Sequence, residues 1–177
     1  MKKQLKFLIC IIIAALIAPA VVSCTSSQYK TYSLKHNGIS FSFEYPSGYK
    51  KILSYIQDNP AAPIGIRFAL NNDPVLMVNI AGNLSEKNPD LNAVATTAGS
   101  HTPQQETERS SITIGGTTGV LVVYVFPDTQ VPSTITREVF FNINGILWNI
   151  DTYSSATKAD EAKLVFEHMI NTFKILQ

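Results

Sequence analysis

The chain has 177 residues, of which 45% are hydrophobic and 15% charged, with a formal net charge of +1 and two cysteines. This length suits one domain rather than two, and the composition is ordinary for a globular fold. No repeat or low-complexity block interrupts it, and two cysteines are too few for a disulfide framework.

The first element is a targeting segment. Lys2, Lys3 and Lys6 form a basic start, Phe7 to Ile17 form an unbroken apolar run, and Pro19 precedes Val21-Val22-Ser23-Cys24. That order of charge, apolar core and small residue is a secretory signal peptide over residues 1–23. The tetrapeptide resembles a bacterial lipobox, with cleavage between Ser23 and Cys24 and lipidation of the Cys24 thiol. Two alternatives exist. An uncleaved span from Leu5 to Val22 has about the minimum length for crossing a membrane, but Pro19 and the polar residues after Cys24 weaken it. A plain secretory signal would leave Cys24 as a free thiol without a role. Under the lipobox reading, residues 24–30 are the lipidated N-terminus and a short tether, Thr25 to Gln28 being its polar part. Residues 31–177 are the single domain. Cys10 leaves with the signal, so the mature domain keeps no thiol for a disulfide, a zinc site or a nucleophile.

Removing the signal also removes three of the fourteen basic residues. Eleven then face thirteen acidic ones, a net charge of −2. That balance speaks against nucleic acid as a partner, and against a polybasic membrane patch. The membrane is expected to be reached through lipid on Cys24 instead. One acyl chain holds a protein only reversibly, whereas two or more hold it stably. Resemblance to bacterial lipoproteins implies two or three chains, palmitate among them. The expected location is the cell membrane or outer membrane, on the extracytoplasmic side.

The domain reads mostly as strands. Ile39, Phe41, Phe43 and Tyr45 alternate with polar residues, the period of a strand with one buried face. Pro46-Ser47-Gly48 is a turn, and Tyr49 to Ile56 forms the next strand. Ile64 to Leu70 and Val75 to Ile80 flank the turn Asn71-Asn72-Asp73-Pro74. Asp90 to Gly99 is a short helix with Asp90 as N-cap, Leu91 and Val94 inward, and Gly99 as its stop. Glu106 to Ile114 and Thr117 to Phe126 form a hairpin about Gly115-Gly116, and Val120 to Phe126 is apolar on both alternations, as a central strand would be. Thr134 to Ile143 and Ile146 to Tyr153 meet at Asn144-Gly145. Lys158 to Thr172 carries Ala162, Val165, Phe166, Met169 and Ile170 at helical spacing, with Thr157 or Ser155 as cap and Asp160 and Glu161 in the first turn. The expected class is α+β, a twisted antiparallel sheet flanked by helices.

The segment Gly38-Ile39-Ser40-Phe41-Ser42-Phe43-Glu44-Tyr45-Pro46-Ser47-Gly48-Tyr49 resembles the opening strand of PsbP-like domains. The order of elements matches as well, through Thr113-Ile114-Gly115-Gly116 to the closing helix and the tail Phe173-Lys174-Ile175. Thr172 stands where the family has Ser, and Tyr49 where many members carry Trp. The resemblance covers nearly all of the mature chain and implies an α/β/α sandwich. Its characterised members chiefly bind or assemble other components, which include the extrinsic photosystem II subunit and nuclear transport factors. No binding residue of theirs is matched here, and fold does not fix function.

Candidate chemistry is sparse. His36, His101 and His168 are far apart and lack ligand-spaced partners. His168 borders an apolar helix stripe, and His101 sits in a polar connection. No Gly-x-Ser-x-Gly elbow is present, so hydrolysis lacks its nucleophile. Glu106 and Glu108, two apart on a strand, would share one face, yet their polar surroundings read as a charged edge strand. Asn71-Asn72-Asp73 offers oxygens but no calcium loop. Gly115-Gly116-x-x-Gly119 is hairpin geometry rather than a phosphate motif, and Trp148 reads as core. No catalytic residue, metal site or cofactor is expected. Two connections, Pro127 to Ser133 and Asn83 to Asp90, are long enough to bind something. The expectation is a non-enzymatic binding or complex-assembly module with an envelope protein partner. A small-ligand carrier is the alternative. An enzyme would require His101 to meet Glu106 or Asp128 in a cleft.

Overall fold

The computed structural model describes residues 28–36, 38–55, 64–70, 73–83, 89–100, 104–126 and 133–176. Ten strands form two antiparallel sheets. β1 (Tyr29–His36), β2 (Ile39–Pro46) and β10 (Lys174–Ile175) make a small sheet in the order β1-β2-β10. β3 (Tyr49–Tyr55), β4 (Ile64–Leu70), β5 (Asp73–Asn83), β6 (Gln105–Ile114), β7 (Thr117–Phe126), β8 (Thr134–Ile143) and β9 (Ile146–Ser155) make a seven-stranded sheet in the order β3-β4-β5-β9-β8-β7-β6. The helices are α1 (Leu91–Gly99) and α2 (Ala159–Thr172).

Alternation along the strands decides which layer covers which face. Val139, Phe141, Trp148 and Ile150 point to one face of the large sheet, where they meet Phe41 and Phe43 of the small sheet and Ala162, Phe166 and Met169 of α2. Val122, Tyr124 and Phe140, the alternate residues, point to the other face and meet Ala95 of α1. The small sheet and α2 therefore share one layer, the large sheet is the middle layer, and α1 covers part of the far side. β7 is apolar on both alternations because both of its faces are covered, as its composition indicated.

The local signals account for the joints. Gly115 and Gly116 have φ of +56° and +82°, and Asn144 and Gly145 have +55° and +79°. Both hairpins thus turn with two positive φ values, the pairing that matches strand twist. The Asp90 side chain accepts hydrogen bonds from the amides of Asn92 and Ala93, as an N-cap should. Gly99 is not a left-handed stop. A Cβ there would lie 2.9 Å from Cε1 of Tyr124, so the glycine allows α1 to approach that ring.

Other expectations need correction. Neither Ser155 nor Thr157 caps α2. Their hydroxyls meet each other at 2.8 Å, and a 3-10 turn over Ala156–Lys158 leads into the helix instead. β1 begins at Tyr29, inside the stretch 24–30 read as lipidated N-terminus and tether. Its inward residues Tyr32 and Leu34 pack on the core, but lysines interleaved among few apolar residues obscured the alternation. β10 is only two residues long and forms solely because β2 is there to receive it.

Gly119 lies hard against the neighbouring strand β8. A Cβ added there would lie 2.8 Å from the Phe140 carbonyl oxygen and 3.2 Å from Cβ of Phe141. Strand backbone cannot yield as a side-chain tip can, so Gly119→Ala is expected to cost about 1–3 kcal/mol. Urea unfolding of the variant checks this, and an unchanged midpoint would contradict the packing described.

Candidate functional site

Several residues considered for chemistry lie outside the described residues: Ser23 and Cys24, His101, Asp128, Asn71 and Asn72, and most of the connections 84–88 and 127–132. His36 ends β1 and Asp73 opens β5. The remaining candidates are placed by the fold.

Glu106 and Glu108 do not share a face. The β6–β7 register shifts between them, so Glu106 stands opposite Tyr124 and Glu108 opposite Val123, residues that point to opposite sides of β7. A bulge adds one residue to a strand and so reverses the side-chain alternation beyond it. It sets Glu106 beside Arg109 instead. The guanidinium donates to both carboxylate oxygens, at 2.7 and 2.8 Å, and also to the Asn92 carbonyl and the Thr96 hydroxyl of α1. The hydrogen bond from Arg109 holds the Glu106 carboxyl below its ordinary range. This cluster fastens α1 to the edge strand β6.

His168 gains partners that its position in the sequence did not announce. Its Nε2 lies 2.8 Å from a Glu44 carboxylate oxygen, and its ring stacks on Tyr29 with centroids 3.6 Å apart. The Glu44 amide donates to the Thr172 hydroxyl at 3.0 Å. The start of β1, β2 and the last turn of α2 are joined here, with the histidine as a fastening between them. Among the described residues no group of three histidine, cysteine or acidic side chains could hold a metal ion.

Glu138 is a carboxyl affected by burial. It stands directly across from Asp151 on β9 and accepts a hydrogen bond from the Asn149 amide at 2.8 Å. Burial raises its pKa above the ordinary 4.5, with the Asn149 bond acting the other way. On the α2 side of the sheet, the buried hydroxyls of Thr152 and Ser154 have no hydrogen-bond partner among the described residues. Neither place is an open cleft.

One open concavity, of about 400 Å³, lies between the start of α1 and the β6–β7 pair beside Arg109; two others lie where the turns gather. One, of about 550 Å³, runs between the Gly115-Gly116 turn and the end of α2 with β10, and is lined by Thr113, Ile170, Asn171, Phe173, Lys174 and Leu176 among others. A smaller one, of about 270 Å³, lies between Gly38, Asn144 and Ile175, with Ile143, Ile146 and Trp148 in its wall. Among the described residues β10 pairs with β2 on one side only. The Leu176 amide donates to the Ser40 carbonyl. Because antiparallel bonds alternate along a strand, the Ile175 amide and carbonyl point away from β2, toward the larger groove. The groove thus offers a short free strand edge beside apolar side chains and one cation, Lys174. Sequence reasoning looked for a binding surface in the two long connections. The turn-lined end was missed because each turn is fully explained by its own hairpin, and only packing brings three of them together.

Comparison with known proteins supports the architecture. The solution structure of cyanobacterial PsbP from Synechocystis superposes with a TM-score of 0.58 at 15% identity, covering 88% of this chain and 99% of that one. The fold is PsbP-like. LpqN of Mycobacterium tuberculosis, described as involved in cell envelope biogenesis, gives 0.53 at 11% identity over 85% of this chain and 93% of its own. A protein of Bacteroides thetaiotaomicron gives 0.54 at 13% identity, and this chain spans about half of that one, 49%. No family model matches the sequence, and no curated protein does. Among the described residues no helix is long and apolar enough to cross a membrane.

The half-buried Glu138 within this PsbP-like fold has a signed consequence. The native state holds its proton more tightly than the unfolded chain does, so its contribution to stability is lost as pH rises from about 4.5 through the raised native value. Glu138→Gln keeps an acceptor for Asn149 and removes the charge. The variant is expected to match the wild type below about pH 4 and to exceed it increasingly toward neutral pH. Urea midpoints across that range check this, and a difference independent of pH would contradict it.

Proposed function

We propose that this chain is a membrane-anchored, extracytoplasmic lipoprotein whose PsbP-like domain is a non-enzymatic binding or assembly module. One observation carries the reading. Gln28, where the described fold begins, follows the lipobox Cys24 by four residues, while the open groove lies beside β10, the opposite edge of the small sheet from β1. A short tether on one edge and a free strand edge on the other suit a protein that stays at a membrane and presents a groove outward. The partner would be an envelope protein that adds an extended segment against Ile175, the mode in which backbone bonds supply affinity and side-chain pockets supply choice. LpqN's described involvement in envelope biogenesis accords with this at the level of fold.

The smaller concavity supports a second reading, a small-ligand carrier, because its wall includes Ile39, Ile143, Ile146 and Trp148. Native mass spectrometry of the mature chain distinguishes the two, since a carrier should retain a ligand.

Cys24→Ala is expected to abolish metabolic acyl labelling and to move the protein out of the membrane fraction. Continued labelling of the variant would overturn the anchor. A photo-crosslinker replacing Lys174 should capture a discrete envelope protein in intact cells, whereas one replacing exposed Lys163 should not. Repeated absence of an adduct from position 174 would count against the groove.

A further inference from the structure

We infer that the side of the sandwich formed by the edge strands β1 and β3 rests on anionic lipid headgroups. This depends on the lipid-anchor reading for the presence of the membrane, but the choice of surface comes from the distribution of charge. Lys30 and Lys35 of β1 and Lys50 and Lys51 of β3 are all exposed, and neither strand carries a carboxylate. The two strands lie on the same side of the molecule. Nζ of Lys51 stands 5.9 Å from the centroid of Tyr32 on β1, and Tyr32 packs edge-on against Phe68 of β4, the neighbour of β3. The carboxylate of the intervening β2, Glu44, is turned to His168.

The register shift between Lys51 and Leu53 accompanies a 56% exposed Ile52, which adds an apolar side chain among the lysines. Among the described residues, Asp160, Glu161 and Glu167 lie on α2, and Glu106 and Glu108 on β6, the opposite edge of the large sheet. The two edge strands β1 and β3 are thus cationic within a chain whose mature net charge is −2.

The tether supplies proximity. The Gln28 carbonyl accepts from the Ser47 amide at 2.9 Å, which fixes the chain at the foot of β1. From Cys24 to Gln28 the chain reaches at most about 14 Å when fully extended. Charges held that close are within reach of the headgroup potential, which decays over roughly 8–10 Å at physiological salt. Lysines near an anionic leaflet each add to adhesion. Such contact would orient the domain so that β10, β6 and the groove face away from the bilayer. Edge lysines also discourage strand-to-strand association, and that role alone requires no lipid. The test separates the two.

Cys24 is the only cysteine of the mature chain, so its thiol can be coupled to a maleimide lipid in vesicles, independently of any cellular lipidation. Amine-reactive labelling is then read residue by residue by mass spectrometry. On vesicles containing phosphatidylglycerol, labelling of Lys30, Lys35, Lys50 and Lys51 is expected to fall about fivefold relative to phosphatidylcholine vesicles. It should recover in roughly 0.5 M salt, while Lys163 and Lys174 stay unchanged throughout. Equal labelling on both vesicle types, or protection centred on Lys163 and Lys174, would overturn the inference. Failure of the anchor reading shows separately, as membrane retention of Cys24→Ala in cells.

Discussion

The fold turns on an aromatic junction between its two sheets and its tail. Phe41 of the small sheet meets Trp148 of the large sheet edge-on at 5.2 Å, and Phe173, just past α2, meets Phe41, Phe141 and Trp148 at 6.0, 5.3 and 5.7 Å. All four rings are almost fully buried. Edge-to-face and offset geometries of this kind add to the stabilisation that area burial already supplies. With β10 only two residues long, the small sheet is little more than a two-stranded hairpin, which has little independent stability; it persists because its rings are shared with the large sheet. The same junction draws Lys174 and Ile175 onto β2 as a strand, so the larger groove exists only because Phe173 is seated.

That arrangement divides the molecule into sides with different chemistry. One side holds β1 and β3, with exposed lysines and the incoming tether. The opposite side holds β6 and β10, with carboxylates on β6, a free strand edge and the turn-lined groove. Polar clusters between them are fastenings: Arg109 with Glu106 ties α1 to β6, and His168 with Glu44 and Tyr29 ties α2 to the small sheet. The first joins consecutive elements, and the second joins opposite ends of the domain. Such ties account for the partners that Glu106, Arg109 and His168 have in this domain.

Much of the fold was legible before the structure, and particular residues show why. Asn144-Gly145 and Gly115-Gly116 demand positive φ, so the hairpins were readable as local chemistry. The inward stripe of α2 and the Asp90 cap are likewise short-range signals. Apart from the α2 cap, where Ser155 and Thr157 bond each other, the failures are cases in which a partner outside the local segment decided the outcome. The bulge in β6 separated Glu106 from Glu108 through the pairing with β7. Gly99 serves Tyr124, a residue far along the chain. β10 is a strand only in the presence of β2, and His168 acquired its carboxylate from the other end of the domain.

The sequence by itself determined the class of fold, the order of its elements from β2 to α2, its hairpin turns and the expectation of a lipid anchor at Cys24. These rest on periodicity, turn conformation and motif spacing, which operate over a few residues. Only the tertiary structure decided where charge and concavity accumulate. Net charge and turn residues are sums or local facts, and they hold no information about which strands become edges. Once β1 and β3 were packed on one side and β6 and β10 on the other, the same lysines, carboxylates and turns acquired opposite sides of one molecule.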